Sequence, residues 1–241
     1  MNNILISFIA GTVFLLQTHA LHPPPLRIVL DVGHSPLKSG ATSARGVSEY
    51  QFNHNIVNKL HNALQQAGFD SFILTHKQKE MGLTDRANLA SVKKADVLLS
   101  IHHDSVQPRY LSPWTYDNKP QRHSEKFQGH SLFISRRNSY TLANQQLAES
   151  IGESLYQQGK RPTLHHNERI MGENRELYNK KLGIYYYDNL LLLRKSRLPA
   201  VLLECGVIVN RDEEQKLADP QYQQQLIEGI IEGLKNYQKK I

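Results

Sequence analysis

Short apolar runs that alternate with helix-like segments are the feature that most constrains the fold of this chain. Residues 27–31 (RIVLD), 96–101 (DVLLSI) and 200–204 (AVLLE) are rich in leucine and β-branched residues, as buried strands are. Residues 49–67 and 219–239 space their apolar side chains at helical intervals. This alternation is typical of a mostly parallel sheet with helices on both faces. We therefore expect one α/β domain around a single central sheet.

The rest of the chain mostly continues this pattern. Further strands are predicted at residues 69–75 and 130–135, and further helices at residues 84–94 and 139–158. Thr84 is the expected N-cap of its helix. Residues 105–128 interrupt the pattern, because they hold three prolines and the only tryptophan without clear periodicity. They predict a long loop or insert, serving either as a lid or docking element or as plain surface. Residues 161–188 stay ambiguous between loop, helix and turn.

The first twenty residues predict export. Residues 4–16 are almost wholly apolar and uncharged, and Thr18 and Ala20 are small residues at the −3 and −1 positions of a cleavage site. An uncleaved anchor or a buried helix is the alternative, but this stretch is short for a membrane span. No transmembrane segment is expected in the mature chain. The predicted boundaries are a signal peptide at residues 1–20, a proline-rich lead at residues 21–26 and a folded domain at residues 27–241.

A basic charge balance raises the question of an anionic partner. The chain has 29 Lys and Arg against 22 Asp and Glu, a formal net charge of +7. Export argues against genomic DNA, and no basic tract is interleaved with aromatics as in single-strand grooves. We therefore expect no nucleic-acid partner and interpret the charge as weak attraction toward an anionic cell envelope. The single cysteine, Cys205, excludes an internal disulfide.

Ionisable side chains lie where the predicted strands end. His34 follows the first strand, His102 follows the third, and Glu204 ends the last. Glu49 opens the first helix on its core-facing stripe. Ligands of such sheets bind beyond the carboxyl ends of the strands, so these groups are expected to converge. Two imidazoles and a carboxylate are the usual ligands of a catalytic zinc, and Glu204 is a candidate base. Taken singly, each of the 12 histidines is more often an ordinary loop residue.

The same residues lie in ordered motifs with a familiar likeness. The motifs are DVGH at residues 31–34, Glu49, SIH at residues 100–102 and LLECG at residues 202–206, followed by Asn210. This series resembles the zinc-dependent N-acetylmuramoyl-L-alanine amidases, of the type that separates bacterial daughter cells or acts as an autolysin. The resemblance extends over nearly the whole mature chain. Val32, Ser35-Pro36 and His103-Asp104 depart from the usual residues of the family, which affects expected substrate contacts and leaves every ligand in place.

The resemblance implies a ligand set and a reaction. His34, Glu49 and His102 would hold Zn²⁺, and Glu204 would be the catalytic carboxylate. The reaction would be hydrolysis of the amide between N-acetylmuramic acid and L-alanine of the peptidoglycan stem peptide, with muramyl peptides as substrate. A protein activator is compatible with this assignment. The expected fold is an α/β zinc amidase domain with its site at the carboxyl ends of the strands.

Two other functions stay open at this point. A zinc peptidase acting on stem or other envelope peptides would use the same ligands, and a non-catalytic envelope-binding protein would use the site only for attachment. Substrate contacts are not identified; Arg194 fits a substrate carboxylate as well as it fits a solvated basic surface, and His123 and Glu125 of the insert could reach the metal. We expect the protein to be a monomer. We also expect it to be periplasmic rather than extracellular, since no wall-binding module fits this length.

Overall fold

The computed structural model describes residues 24–74 and 81–241, so the predicted signal peptide and the start of the proline-rich lead lie outside it. The strands are β1 (Arg27–Val32), β2 (Asp70–Leu74), β3 (Val97–Asp104), β4 (Ser112–Tyr116), β5 (Lys119–His123), β6 (Ser131–Ile134), β7 (Leu177–Asn179), β8 (Ile184–Tyr186) and β9 (Ala200–Val207). The helices are α1 (Glu49–Gln66), α2 (Leu83–Val92), α3 (Thr141–Gln157), α4 (Leu191–Lys195), α5 (Arg211–Ala218) and α6 (Pro220–Gln238). Short 3-10 helices cover Pro108–Tyr110 and His165–Asn167. Among the described helices, none is both long and apolar enough to span a membrane.

Within the described residues, seven strands form the central sheet in the order β2-β1-β3-β9-β6-β8-β7. The β1–β2, β1–β3, β3–β9 and β6–β8 pairs are parallel, whereas β6 runs antiparallel to β9 and β7 to β8. The predicted mostly parallel sheet is thus confirmed. Because β1, β3 and β9 are neighbours and parallel, their carboxyl ends meet at one edge.

Both faces of the sheet are covered, as the apolar runs predict. Side chains alternate along β1, so Ile28 and Leu30 enter one apolar cluster and Val29 enters the other. The first cluster packs under α1, α3 and α6, and the second under α2 and α4. This double coverage explains why these strands consist of nearly continuous apolar residues.

The helix ends show where local sequence rules applied. Ser48 caps α1 in a capping box with Gln51, and Gly68 follows that helix with a φ of 87°. The predicted cap of α2 is wrong: Thr84 lies in the first turn, and the cap is Gly82, without a side-chain hydrogen bond. Asn210 caps α5, which was not predicted, and accepts hydrogen bonds from the backbone N–H of Asp212 and Glu213.

The predicted loop at residues 105–128 contains regular structure. Strands β4 and β5 form an antiparallel hairpin that is separate from the central sheet. Asp117 and Asn118, which connect them, have φ values of 49° and 55°, as a two-residue hairpin turn requires. Trp114 anchors the hairpin, because its indole N–H donates to the carbonyl of Ala44 at 2.8 Å. The expectation of an irregular loop was wrong for this part of the insert.

Candidate metal centre

Three of the predicted site residues meet at the carboxyl edge of the sheet. The two carboxylate oxygens of Glu49 lie 2.9 Å from His34 Nε2 and 3.0 Å from His102 Nδ1. The three candidate ligand atoms all lie within 4.8 Å of one another. We call this group the Glu49 cluster. Its members come from the loop after β1, the start of α1 and the last part of β3, which are distant in sequence and adjacent in the fold.

A buried ion pair fixes the loop that carries His34. Arg86 of α2 donates to the Asp31 carboxylate at 3.0 Å and to the carbonyls of Val32 and His34, each at 2.8 Å. Ser100 donates to the other Asp31 oxygen at 2.7 Å. His34 itself has a φ of 67°, a left-handed conformation that few residues adopt without such support. Arg86 therefore holds the backbone in the shape that directs the imidazole toward Glu49.

The position of Glu49 favours its anionic form. Burial alone would raise its pKa, but hydrogen bonds with His102 and His34 outweigh burial and hold the pKa of Glu49 well below its usual range. The backbone N–H of Ala41 donates to the same carboxylate at 3.0 Å, and Asn53 donates at 3.2 Å. As the first residue of α1, Glu49 also faces the positive end of the helix dipole. The cluster thus presents a fixed negative charge between two imidazoles.

Two glycines leave the space that these side chains occupy. A Cβ on Gly40 would overlap Glu49 Oε2 and lie 2.6 Å from His34 Cδ2, and Gly40 has a φ of 75°. A Cβ on Gly33 would lie 2.6 Å from the His102 ring. Larger residues at either position would displace a ring or the carboxylate.

Glu204 lies across from the cluster on the neighbouring strand. It is the register partner of His102 in the β3–β9 pair, and its buried Oε2 has no hydrogen-bond partner among the described residues. Burial raises the pKa of Glu204 well above its ordinary value, and the carboxylates of Asp104 and Glu49 raise it further. A carboxyl group can both accept a proton and return it, first as a general base and then as a general acid.

The other residues considered for the site make contacts outside the Glu49 cluster. His103 is buried and contacts Asn53 Oδ1 at 2.7 Å, and burial lowers its pKa to about 3. Cys205 is buried in the apolar core, where burial raises the pKa of its thiol. His123 and Glu125 contact each other, and Glu125 binds Arg211, so neither joins the Glu49 cluster.

The exposed side of the cluster opens onto a cavity of about 430 Å³. His34 and His102 form one wall, and Leu190, Leu192 and Leu202 supply apolar surface. The side chains of His34 and His102 keep 32% and 18% of their surface exposed. Arg194, considered above for a substrate carboxylate, is not among the lining residues.

Sequence reasoning missed a second group of ligand-type side chains. Asp104, His165 and His166 bring one ligand atom each to within 4.8 Å of one another, and all three residues are buried. His165 and His166 lie in the segment whose structure the sequence left ambiguous. The one usable signal was the adjacent pair of histidines, which nothing in the sequence connects to β3.

Comparison with known proteins gives a consistent result. The family model described as N-acetylmuramoyl-L-alanine amidase matches residues 28–236. A putative N-acetylmuramoyl-L-alanine amidase of Buchnera aphidicola is 28% identical over 225 residues, which cover 88% of this chain and 94% of that protein. A probable amidase of Haemophilus influenzae, AmiB, is also 28% identical, with 87% of this chain and 51% of that protein covered.

Solved structures resemble the described fold as well. The crystal structure of an N-acetylmuramoyl-L-alanine amidase from Clostridium difficile aligns with a TM-score of 0.68 and 25% identity. The alignment covers 90% of this chain and 98% of that chain. The similarity therefore includes the central sheet and most of the elements around it.

Proposed function

The chain belongs to the N-acetylmuramoyl-L-alanine amidase family, and on this premise we propose that it is an exported, zinc-dependent peptidoglycan hydrolase. The bond cleaved joins the lactyl group of N-acetylmuramic acid to L-alanine of the stem peptide. Family membership supports the amidase activity and the cell-wall substrate. Zinc, the roles of individual residues and the signal peptide are parts of the proposal, and so are a periplasmic location and an interaction with a protein activator.

The Glu49 cluster is the observation that carries the proposal. An anionic carboxylate between two imidazoles is a donor set that suits zinc, whereas calcium and magnesium prefer oxygen ligands alone. His34, Glu49 and His102 would hold the ion, and the partial exposure of both imidazoles leaves room for water and substrate. When bound, zinc polarises the amide carbonyl and lowers the pKa of a bound water molecule.

Glu204 would move the proton. Its buried Oε2 has no hydrogen-bond partner, so it is available to accept a proton from the attacking water. Burial raises the pKa of Glu204, which favours the protonated form that the second step of the reaction needs. The same oxygen would then donate the proton to the leaving amine of L-alanine, which otherwise departs poorly. Glu204 is therefore proposed as general base and then general acid.

The surroundings of the cluster suit an amphipathic substrate. The cavity beside His34 combines polar groups with apolar surface from Leu190 and Leu202. The formal net charge of +7 favours association with a cell wall and membrane that carry carboxylates and phosphates. The net charge contributes to encounter, whereas bond cleavage depends on the residues of the site.

The decisive experiment is a digestion of purified sacculi by the protein before and after removal of metal. We expect activity to disappear on chelation and to return with Zn²⁺. Mass spectrometry should find whole stem peptides with a free L-alanine amine, together with bare glycan strands. Shorter peptides would identify a zinc peptidase instead, and sacculus binding without release would identify an envelope-binding protein.

A further inference from the structure

We propose that Asp104, His165 and His166 form a second metal site that binds a transition-metal cation of the zinc class. We call this group the Asp104 cluster. It shares no residue with the Glu49 cluster. The proposal therefore stands on its own contacts and does not depend on the amidase mechanism.

Both imidazoles direct the same ring atom toward one oxygen. Asp104 Oδ2 lies 2.7 Å from His166 Nε2 and 3.4 Å from His165 Nε2. The His165 and His166 rings lie side by side, with centroids 3.9 Å apart. Imidazole nitrogen and carboxylate oxygen bind zinc at about 2.0–2.2 Å, so ligand atoms of one ion lie about 3 to 3.5 Å apart. The two distances to Asp104 Oδ2 are close to this range, and the two imidazole nitrogens lie within 4.8 Å of each other.

The opposite ring nitrogens have the partners that metal-bound histidines usually have. His166 Nδ1 lies 2.9 Å from Glu173 Oε2, and His165 Nδ1 lies 2.8 Å from Thr163 Oγ1. Such contacts fix the orientation of a ligating imidazole and leave Nε2 free for the metal. Glu173 is itself held by Gln107 at 2.6 Å and by Arg175 at 2.5 Å. The outer partners of the cluster are thus ordered by their own contacts.

One polar atom at this place is unsatisfied. In the part of the chain that the structure describes, the buried His165 Nε2 has no hydrogen-bond partner, and the side chain is only 1% exposed. Leaving such a nitrogen unpaired in the folded chain costs free energy. A proton between His166 and Asp104 satisfies His166, whereas His165 keeps its 3.4 Å contact with Asp104 Oδ2 and an interaction with the Ser105 backbone. A cation at Asp104 Oδ2 would satisfy all three side chains at once.

The ligand types and the burial indicate what the ion is and does. Two nitrogen donors and one oxygen donor favour zinc and similar transition metals over calcium and magnesium. All three residues are buried, as ligands of structural sites are, and three protein ligands leave a fourth position for a water molecule. The ion would fasten the turn at His165–Asn167 to the carboxyl end of β3.

The test is the metal content of zinc-saturated full-length protein after gel filtration. We expect two equivalents of zinc for the wild-type chain and one for His34→Ala, which keeps only the Asp104 cluster. His165→Gln should also retain one equivalent. His130→Gln is the matched control, because His130 is likewise buried with an unpaired Nε2 but belongs to neither cluster, and it should retain two.

The opposite results would overturn the proposal. One equivalent in the wild-type chain, lost in His34→Ala and kept in His165→Gln, would show that the Asp104 cluster binds only a proton. That outcome leaves the proposed amidase function intact, since sacculus digestion is measured separately. If His165→Gln does not fold, His34→Ala decides: one equivalent supports the second site and none contradicts it.

Discussion

The Glu49 and Asp104 clusters have the same chemistry and different access to solvent. Each places one carboxylate between two imidazole nitrogens. In the Glu49 cluster the imidazoles of His34 and His102 are 32% and 18% exposed, whereas those of His165 and His166 are 1% and 8% exposed. Residue types alone therefore do not distinguish a site that admits substrate from one that fastens two segments. Exposure does.

The two clusters also differ in what lies beside them. Glu204, with a raised pKa and an unpaired oxygen, faces His102 across the β3–β9 pair. The Asp104 cluster is enclosed by Glu173 and aromatic rings, including Phe127 4.9 Å from His165. The comparison predicts that changes at the first cluster affect catalysis and that changes at the second affect stability and the nearby turn.

The largest expected effect concerns Glu204. Glu204→Gln keeps the size of the side chain and removes its ability to carry a proton, so the rate of stem-peptide release should fall by about 10²–10⁴-fold. Zinc content should stay at the wild-type value. His165→Gln should change the rate far less. An equal loss of rate in both variants, measured on the same sacculi, would abolish the distinction between the clusters.

The next effect concerns the ion pair under the Glu49 cluster. Arg86→Met would leave Asp31 buried without its cation, so the free energy of unfolding should fall by about 3–5 kcal/mol. Arg136→Met is the control, because the Arg136–Asp188 pair is partly exposed and its loss should cost about 0–1 kcal/mol. Urea denaturation measures both. Equal losses would mean that burial does not determine the value of these pairs.

Glu213 is a buried carboxylate whose hydrogen-bond partners are backbone groups and not imidazoles, so its charge can be compared with that of Glu49. Glu213 accepts hydrogen bonds from the backbone N–H groups of Gly129 and Val207, and burial raises its pKa to about 7 from the ordinary value of 4.5. Between these two pH values the folded chain binds more protons than the unfolded chain. This group therefore makes the free energy of unfolding fall as pH rises from about 5 to 7, by about 3 kcal/mol in total, with no further change at higher pH.

Glu213→Gln isolates this contribution, because the amide stays neutral at every pH. We expect the variant to lose less stability than the wild-type chain between pH 5 and pH 8 in urea titrations. Identical pH dependence in the two proteins would contradict the assigned pKa. The contribution of Glu49 to the free energy of unfolding changes with pH in the opposite direction. Its two imidazoles hold its pKa low, so this contribution is lost as pH falls.

The smallest expected effect tests the space around the Glu49 cluster. Gly40→Ala would press a methyl group against Glu49 and His34, so zinc affinity should fall by about 10–100-fold, as when a residue supporting metal ligands is changed. Gly68→Ala is matched in backbone strain, since Gly68 has a φ of 87°, but nothing lies within 4 Å of its added Cβ. It should cost stability and leave zinc affinity unchanged in a competition titration.

The fold could be predicted from the sequence wherever a strand is buried along its whole length. The runs at β1, β3 and β9 are apolar because both sheet faces are covered, and parallel strands bring His34, His102 and Glu204 to one edge. Glu49 was recognisable because a carboxylate on a core-facing helix stripe needs a partner. These inferences depend on periodicity and topology, which are visible in a single sequence.

Other features depend on contacts that periodicity does not encode. The hairpin strands β4 and β5 are mostly exposed and show no apolar alternation, so they were predicted as a loop. Helix α5 buries two glutamates and one leucine, so its inner face does not show as an apolar stripe in the sequence. The Asp104 cluster joins residues 62 positions apart through tertiary packing, and neither end has a pattern that points to the other.

The hairpin anchor has a spectroscopic consequence. Trp114 is the only tryptophan of the chain, its indole N–H is bound to Ala44, and the guanidinium groups of Arg45 and Arg211 lie 5.7 and 5.2 Å from its ring centroid. Emission excited selectively from indole therefore originates from this one position. It reports the docking of the hairpin onto the loop before α1 and carries no direct signal from the apolar core.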